Sequence, residues 1–221
     1  MKIFMDYAVF VVAALLKPVT VFTNRLKNYN DIKIIGIFSA AVAGIAMLLN
    51  LIHQIILYVR VPILESTGFM RPPTVTGHEW YWGNLSELPW VNLIVRNFFI
   101  YLGIIVAIAA VYFLAGKIVR KDATTFQRTL AVATISAIPV ILTSFILAPI
   151  LGWLHVHLAV IIAVLALIYA LAILISGMNH ELDLQEDDLR LYVHVASIAV
   201  LLIVGYFIVM QMIEDAFSGL F

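Results

Sequence analysis

The chain has 221 residues, 64% of them hydrophobic and 12% charged, against roughly half apolar and about a quarter charged in ordinary soluble domains, so it reads as a membrane protein. The 13 basic and 13 acidic side chains cancel and the bases are scattered, which excludes the electrostatic footprint of a nucleic-acid binder. With no cysteine, disulfides, iron–sulfur clusters, thiolate zinc sites and a cysteine nucleophile are excluded as well.

In chain order the first element is the segment 1–32. Its apolar part, Tyr7 to Leu16, has the size of a signal-peptide core, but Lys17-Pro18 and a basic run follow it with no small-x-small cleavage site. Asp6 and Lys17 also bracket too short a stretch for a span, which needs about 20 mostly apolar residues. From Val19 onward Val19, Phe22 and Leu26 fall at helical spacing, while Arg25, Lys27 and Asn28 supply polar groups. That pattern predicts an amphipathic segment lying in the membrane interface, redirected at Pro18.

Five stretches are then long and apolar enough to cross a bilayer, at about 33–58, 91–116, 129–151, 155–176 and 191–212, each able to satisfy its own backbone as a helix. The expectation is one all-α domain over 1–221: a polytopic helical bundle of five transmembrane helices, preceded by the interfacial segment, with a loop after the first span. In that span Gly36, Ala40 and Gly44 form a small-xxx-small stripe that permits close helix approach, read as packing inside the bundle ahead of a dimer interface. The third span carries Ser136, Pro139, Thr143, Ser144 and Pro149 and should be kinked, with hydroxyls meeting carbonyls that proline leaves without a partner.

With a cytoplasmic N-terminus, the inner segments hold Lys2, Lys17, Arg25, Lys27, Lys33, Lys117, Arg120, Lys121, Arg128 and Arg190, and the outer ones only Arg60, Arg71 and Arg96. The asymmetry predicts N-terminus inside and C-terminus outside. Trp80, Trp82, Trp90 and Trp153 then gather on the outer side as interfacial anchors.

Candidate chemistry is sparse. His53, His78, His155 and His157 all fall toward the outer side and are the weak candidates for a zinc-type site. On a helix, however, the His155–His157 spacing turns the two side chains about 200° apart. They are read as interfacial histidines, with no metal and no cofactor assigned. No G-x-S-x-G, H-E-x-x-H, P-loop or dinucleotide turn is present, and the span centres lack the charges that mark a transport pathway. The polar patch Asn50, His53 and Gln54 and the pair Arg96-Asn97 lie at comparable depth and could meet.

Three stretches carry a resemblance: Pro18-Val-Thr-Val-Phe22-Thr-Asn-Arg25-Leu26, Thr124-Thr125-Phe126-Gln127-Arg128 and Ser136-Ala137-Ile138-Pro139. With five spans behind them, they resemble the Yip-type domain of Ypt/Rab-interacting membrane proteins over nearly the whole chain. The resemblance marks Pro18, Phe22, Arg25, Phe126, Ser136 and Pro139 as family-motif positions. It implies a five-helix membrane protein with a cytoplasmic N-terminus and a short outward C-terminus, whose eukaryotic relatives bind prenylated Rab-type GTPases. This sequence lacks a long polar N-terminal region and an Asp-Leu-Tyr-Gly-Pro stretch, which weighs against GTPase binding and for a prokaryotic-type member of the plasma membrane.

The two inner connections carry opposite charge. Residues 117–128 hold Lys117, Arg120, Lys121 and Arg128, and residues 178–190 hold Glu181, Asp183, Glu186, Asp187 and Asp188. Arg120, Lys121, Asp187 and Asp188 are thus candidates for a partner or lipid surface, or for a latch between the loops. The functional expectations rank a scaffold or adaptor first, with membrane lipids, a membrane-protein partner or a second copy of the chain as partners. A small-solute channel or transporter comes second, and a metal- or lipid-dependent enzyme third.

Overall fold

The computed structural model describes residues 2–25, 31–65, 74–80, 90–119, 124–184 and 189–203. Helix α1 (Lys2–Leu16) and helix α2 (Pro18–Arg25) are separated by Lys17 alone. Pro18 is suited to a first helical position, where its missing N–H costs nothing, and the Val21 N–H bonds the Lys17 carbonyl at 3.1 Å. The chain folds back at this point. Phe10 and Phe22 have ring centroids 6.3 Å apart, whereas one continuous helix would separate the two positions by about 18 Å.

The N-terminal segment thus turns at Pro18, as the sequence predicts. It is a helical hairpin docked on the bundle. Tyr7 meets Phe38 edge-on at 4.9 Å, and the Tyr169 hydroxyl donates to the Leu15 carbonyl. The physical reason is that α1 has two apolar faces. Tyr7, Phe10, Val11 and Ala14 are buried, while Met5, Val9, Val12 and Leu16 face outward, so the helix suits a place between protein and lipid better than one between lipid and water. Of the amphipathic run beyond it, Leu26, Lys27 and Asn28 lie outside the described residues.

Helix α3 (Ile32–Val59) starts on an aspartate cap, the Lys33 N–H donating to Asp31 Oδ1 at 2.9 Å. It leads into an antiparallel pair, β1 (Arg60–Glu65) and β2 (Thr74–Trp80), in register Arg60↔Trp80 to Glu65↔Thr74 with an irregularity between Ile63 and Leu64. The bundle itself is all-helical as expected, and the connection after the first span adds this two-stranded hairpin. The β-branched Val61, Ile63, Thr74, Val75 and Thr76 favour it.

Helix α4 (Trp90–Val119) is followed by α5 (Phe126–Leu142), a π-helical segment at Thr143–Leu147, α6 (Ala148–Leu154), α7 (Val156–Glu181) and α8 (Leu189–Ile203). The expected irregularity in the third span takes the form of this π segment, lying between Pro139 and Pro149. The Ala148 N–H reaches back five residues to the Thr143 carbonyl, one way a helix absorbs a missing backbone donor. The hydroxyl bonds sit upstream of Pro139: Thr134 to the Leu130 carbonyl at 2.7 Å and Ser136 to the Ala133 carbonyl at 2.8 Å.

Among the described residues four helical stretches are long and apolar enough to cross a membrane: Ile32–Ile56, Trp90–Val119, Phe126–Gly152 and Val156–Glu181. The protein is a multi-pass helical membrane bundle. Helix α5 is its centre, with Thr129 to Ser136 all buried and with α1, α3, α4 and α7 packed around it.

Candidate functional site

The polar contacts between helices gather where α5 begins and α7 ends. Thr125 precedes α5 in an extended conformation and its own side chain caps nothing in that helix. The cap comes from α7 instead. Glu181 Oε1 accepts from the Thr125 backbone N–H at 3.0 Å and from its hydroxyl at 3.5 Å, and Oε2 lies 3.6 Å from Arg128 Nη1. The Glu181 side chain is 3% exposed, which makes this a buried ion pair that is costly to half-remove. Its charge also sits at the positive end of the α5 dipole. In effect one carboxylate joins the two connections that bear opposite charge.

Two glycines let the helices approach this closely. A Cβ on Gly116 would lie 2.5 Å from both Leu182 Cδ2 and Thr124 Oγ1, and one on Gly177 would lie 2.5 Å from Val132 Cγ1 and 3.0 Å from Phe22 Cε2. Leu182 reaches Gly116 because α7 stops in a tight turn, with Asp183 at φ 47° and the Leu184 N–H on the Asn179 carbonyl at 3.2 Å. Aspartate tolerates that left-handed position better than most residues.

A second network lies beside the first. His194 on α8 bonds Asn179 Oδ1 through Nε2 at 2.8 Å and the Tyr112 hydroxyl through Nδ1 at 3.1 Å. An amide oxygen only accepts, so Nε2 carries the proton and Nδ1 accepts from tyrosine, both satisfied by a neutral ring. The same side chain thereby holds α4, α7 and α8 together. Nearer the middle of the bundle the hydroxyls of Ser39 and Thr134 meet at 2.7 Å, joining α3 to α5.

The residues singled out from the sequence divide between this end and others. Phe22 is fully buried against Gly177, and Phe126 opens α5 with its ring edge-on to Phe113 at 5.8 Å. Pro18 opens α2, Arg25 closes it, and Ser136 and Pro139 lie within α5. Arg120, Lys121, Asp187 and Asp188 lie outside the described residues. At Gly36 and Gly44 an added Cβ meets nothing within 4 Å among the described residues, and Ala40 is half-buried. Among the described residues, close approach at a glycine falls at Gly116 and Gly177, which no small-xxx-small stripe marks.

The candidate metal ligands lie on different elements. His155 is the N-cap of α7, its Nδ1 accepting from the His157 N–H at 3.3 Å. His53 lines an apolar cleft with Phe145 and Pro149, and His78 lies in β2 opposite Pro62. Among the described residues no three histidine or acidic side chains come together as a metal site would require. Asn97 is buried in α4 while its neighbour Arg96 is exposed.

No curated protein and no solved structure matches this chain. The sequence profile of the Yip1 domain matches residues 12–209, a range that takes in α2, the Thr124 to Arg128 entry to α5 and the Glu181 end of α7. The chain belongs to the Yip1 domain family.

Proposed function

We propose that this protein is an integral membrane scaffold or adaptor that organises membrane or partner proteins. Five segments cross the membrane in this reading, the stretch 191–212 being the fifth, with the N-terminus cytoplasmic, the C-terminus outside and a prokaryotic plasma membrane as its site. The orientation is supported by ten of the 13 basic residues falling on one side. The observation that carries the scaffold reading is the Glu181 contact with Thr125 and Arg128. It joins the two connections through Thr125, Arg128 and Glu181, and in this reading the opposite charges that the sequence assigns to 117–128 and 178–190 form one surface. Such a surface suits steering and recognition of a charged partner.

Two experiments test it. A cytoplasm-dependent reporter fused after Lys121 should be active and one fused between Gly77 and Pro89 silent; the reverse pattern ends the orientation. Affinity capture in mild detergent should recover a stoichiometric membrane-protein partner or a second copy, and Asp187→Lys with Asp188→Lys should release it. Capture that is unchanged by reversing either loop removes these loops from the function. A second reading is a small-solute pathway, which solute flux in liposomes would select; the 350 Å³ cavity beside the π segment is lined mainly by apolar side chains such as Ile104, Ile105, Ile108, Val140 and Phe145, so it would suit an apolar solute.

A further inference from the structure

Contacts with three crossing helices fix the depth of the α1–α2 hairpin. The Tyr169 hydroxyl donates to the Leu15 carbonyl, and Tyr169 stands at the midpoint of the stretch Val156–Glu181. Leu15 also borders an apolar cleft of 240 Å³ with Val42 and Ile45, which flank the midpoint of Ile32–Ile56, and with Ile138 and Ile141, which flank that of Phe126–Gly152. The end of α1 is therefore level with the middle of the bundle. From there α2 runs back. Phe22 lies against Gly177, one turn before Glu181 closes α7, and it meets Phe10 of α1, while Tyr7 meets Phe38 in the second turn of α3.

The sequence of α1 suits this depth. Tyr7 to Leu16, bracketed by Asp6 and Lys17, rises about 14 Å as a helix, close to half of the roughly 30 Å hydrocarbon core. A stretch too short to cross the membrane is long enough to reach its centre. A turn placed there has to engage its own backbone, since no water is at hand. The Ala13 carbonyl accepts from the Lys17 N–H at 2.8 Å and the Lys17 carbonyl from the Val21 N–H at 3.1 Å, Tyr169 takes the Leu15 carbonyl, and Pro18 brings no N–H to satisfy. Lys17 is exposed at the turn, where its four-carbon stem lets the ammonium bend back toward the headgroups.

We propose that α1 and α2 form a re-entrant hairpin, with both ends at the Glu181 side of the membrane and the turn at the bilayer midplane. Its outward row, Met5, Val9, Val12 and Leu16, all exposed and apolar, is then a contact surface for the acyl chains of that leaflet alone. The hairpin displaces lipid from one leaflet and leaves the other untouched. This placement is independent of the charged loops and of which side of the membrane the Glu181 end faces.

The chain has no cysteine, so single cysteines report position directly in the full protein reconstituted in phosphatidylethanolamine and phosphatidylglycerol vesicles. Val9→Cys, Val12→Cys and Leu16→Cys, each at an exposed position, carry an environment-sensitive fluorophore. Quenching by lipids with a doxyl group at mid-chain should rise in that order, and quenching by lipids with the doxyl group near the headgroup should fall. With a membrane-impermeant maleimide, Asn24→Cys and Lys33→Cys should react from the same side. Leu16→Cys should react more than about tenfold more slowly from either side, because the thiolate is the reacting form and apolar surroundings disfavour it. Strongest quenching near the headgroups at all three labelled positions, or reaction of Leu16→Cys at the Asn24→Cys rate, would make the hairpin interfacial. Reaction of Asn24→Cys and Lys33→Cys from opposite sides would make it a crossing segment. Each of these results overturns the proposal.

Discussion

The two ends of the bundle use their polar residues in opposite ways. At the Glu181 end they reach across the fold: Glu181 to Thr125 over 56 residues and His194 to Tyr112 over 82, with Ser39 to Thr134 over 95 a little deeper. Among the described residues at the end where α7 begins, the bond is local, His155 capping its own helix through His157 two residues on. Local bonds form as soon as the helix does. Contacts between helices exist only once the bundle is assembled, so they distinguish the assembled state and leave buried groups stranded when one partner is removed.

The largest effect expected from this contrast concerns glycine. Gly177→Leu must displace Val132 or Phe22 and should cost on the order of 3 kcal/mol, the upper range for overpacking, seen as a large drop in detergent melting temperature. Gly44→Leu, with open space around it among the described residues, should leave the melt of the isolated chain near the parent. Equal losses at both positions would show that the Gly36–Gly44 stripe is packed in the assembled protein.

Removing one side of the buried ion pair comes next. Glu181→Ala leaves Arg128 and the Thr125 N–H without their carboxylate and should cost roughly 3 kcal/mol. Glu181→Gln keeps an acceptor for the N–H and should cost less. A double-mutant cycle with Arg128→Met isolates the charge interaction, and additivity there would reduce the contact to a helix cap.

His194→Leu should cost about 1–3 kcal/mol, since it strands the Tyr112 hydroxyl and Asn179 inside the bundle. His157→Ala, exposed at the other end, should stay within about 0.5 kcal/mol. The smallest effect is Ser39→Ala, near 0.6 kcal/mol, the average for hydrogen bonds between membrane helices. A loss at Ser39 as large as at His194 would mean that depth in the bundle matters more than the number of partners stranded.

Much of this architecture is written in local composition. Lengths of apolar sequence fix where a chain can cross a bilayer, because each crossing helix satisfies its own backbone, and four of the expected stretches correspond to α3, α4, α5 to α6 and α7. Pro18 turns the chain, and Pro139 and Pro149 bracket the irregular helix, since a missing N–H acts within one helical turn. The motif Thr124 to Arg128 was legible as a family signature, but its task was not. Its partner Glu181 lies 56 residues from Thr125, and no periodicity relates them. The docking of α1 was hidden for a similar reason: a helix with two apolar faces gives no sign of which one meets protein. The regular Gly36, Ala40 and Gly44 stripe drew attention because it repeats, yet Gly116 and Gly177 make the close approaches, one against the turn after α7 and one against α5 and α2. The sequence by itself determined which segments enter the membrane and where they bend, because hydrophobic length and proline act locally. Only the tertiary structure decided which carboxylate caps which helix and which glycines are closely packed, because those depend on distances between segments far apart in the chain.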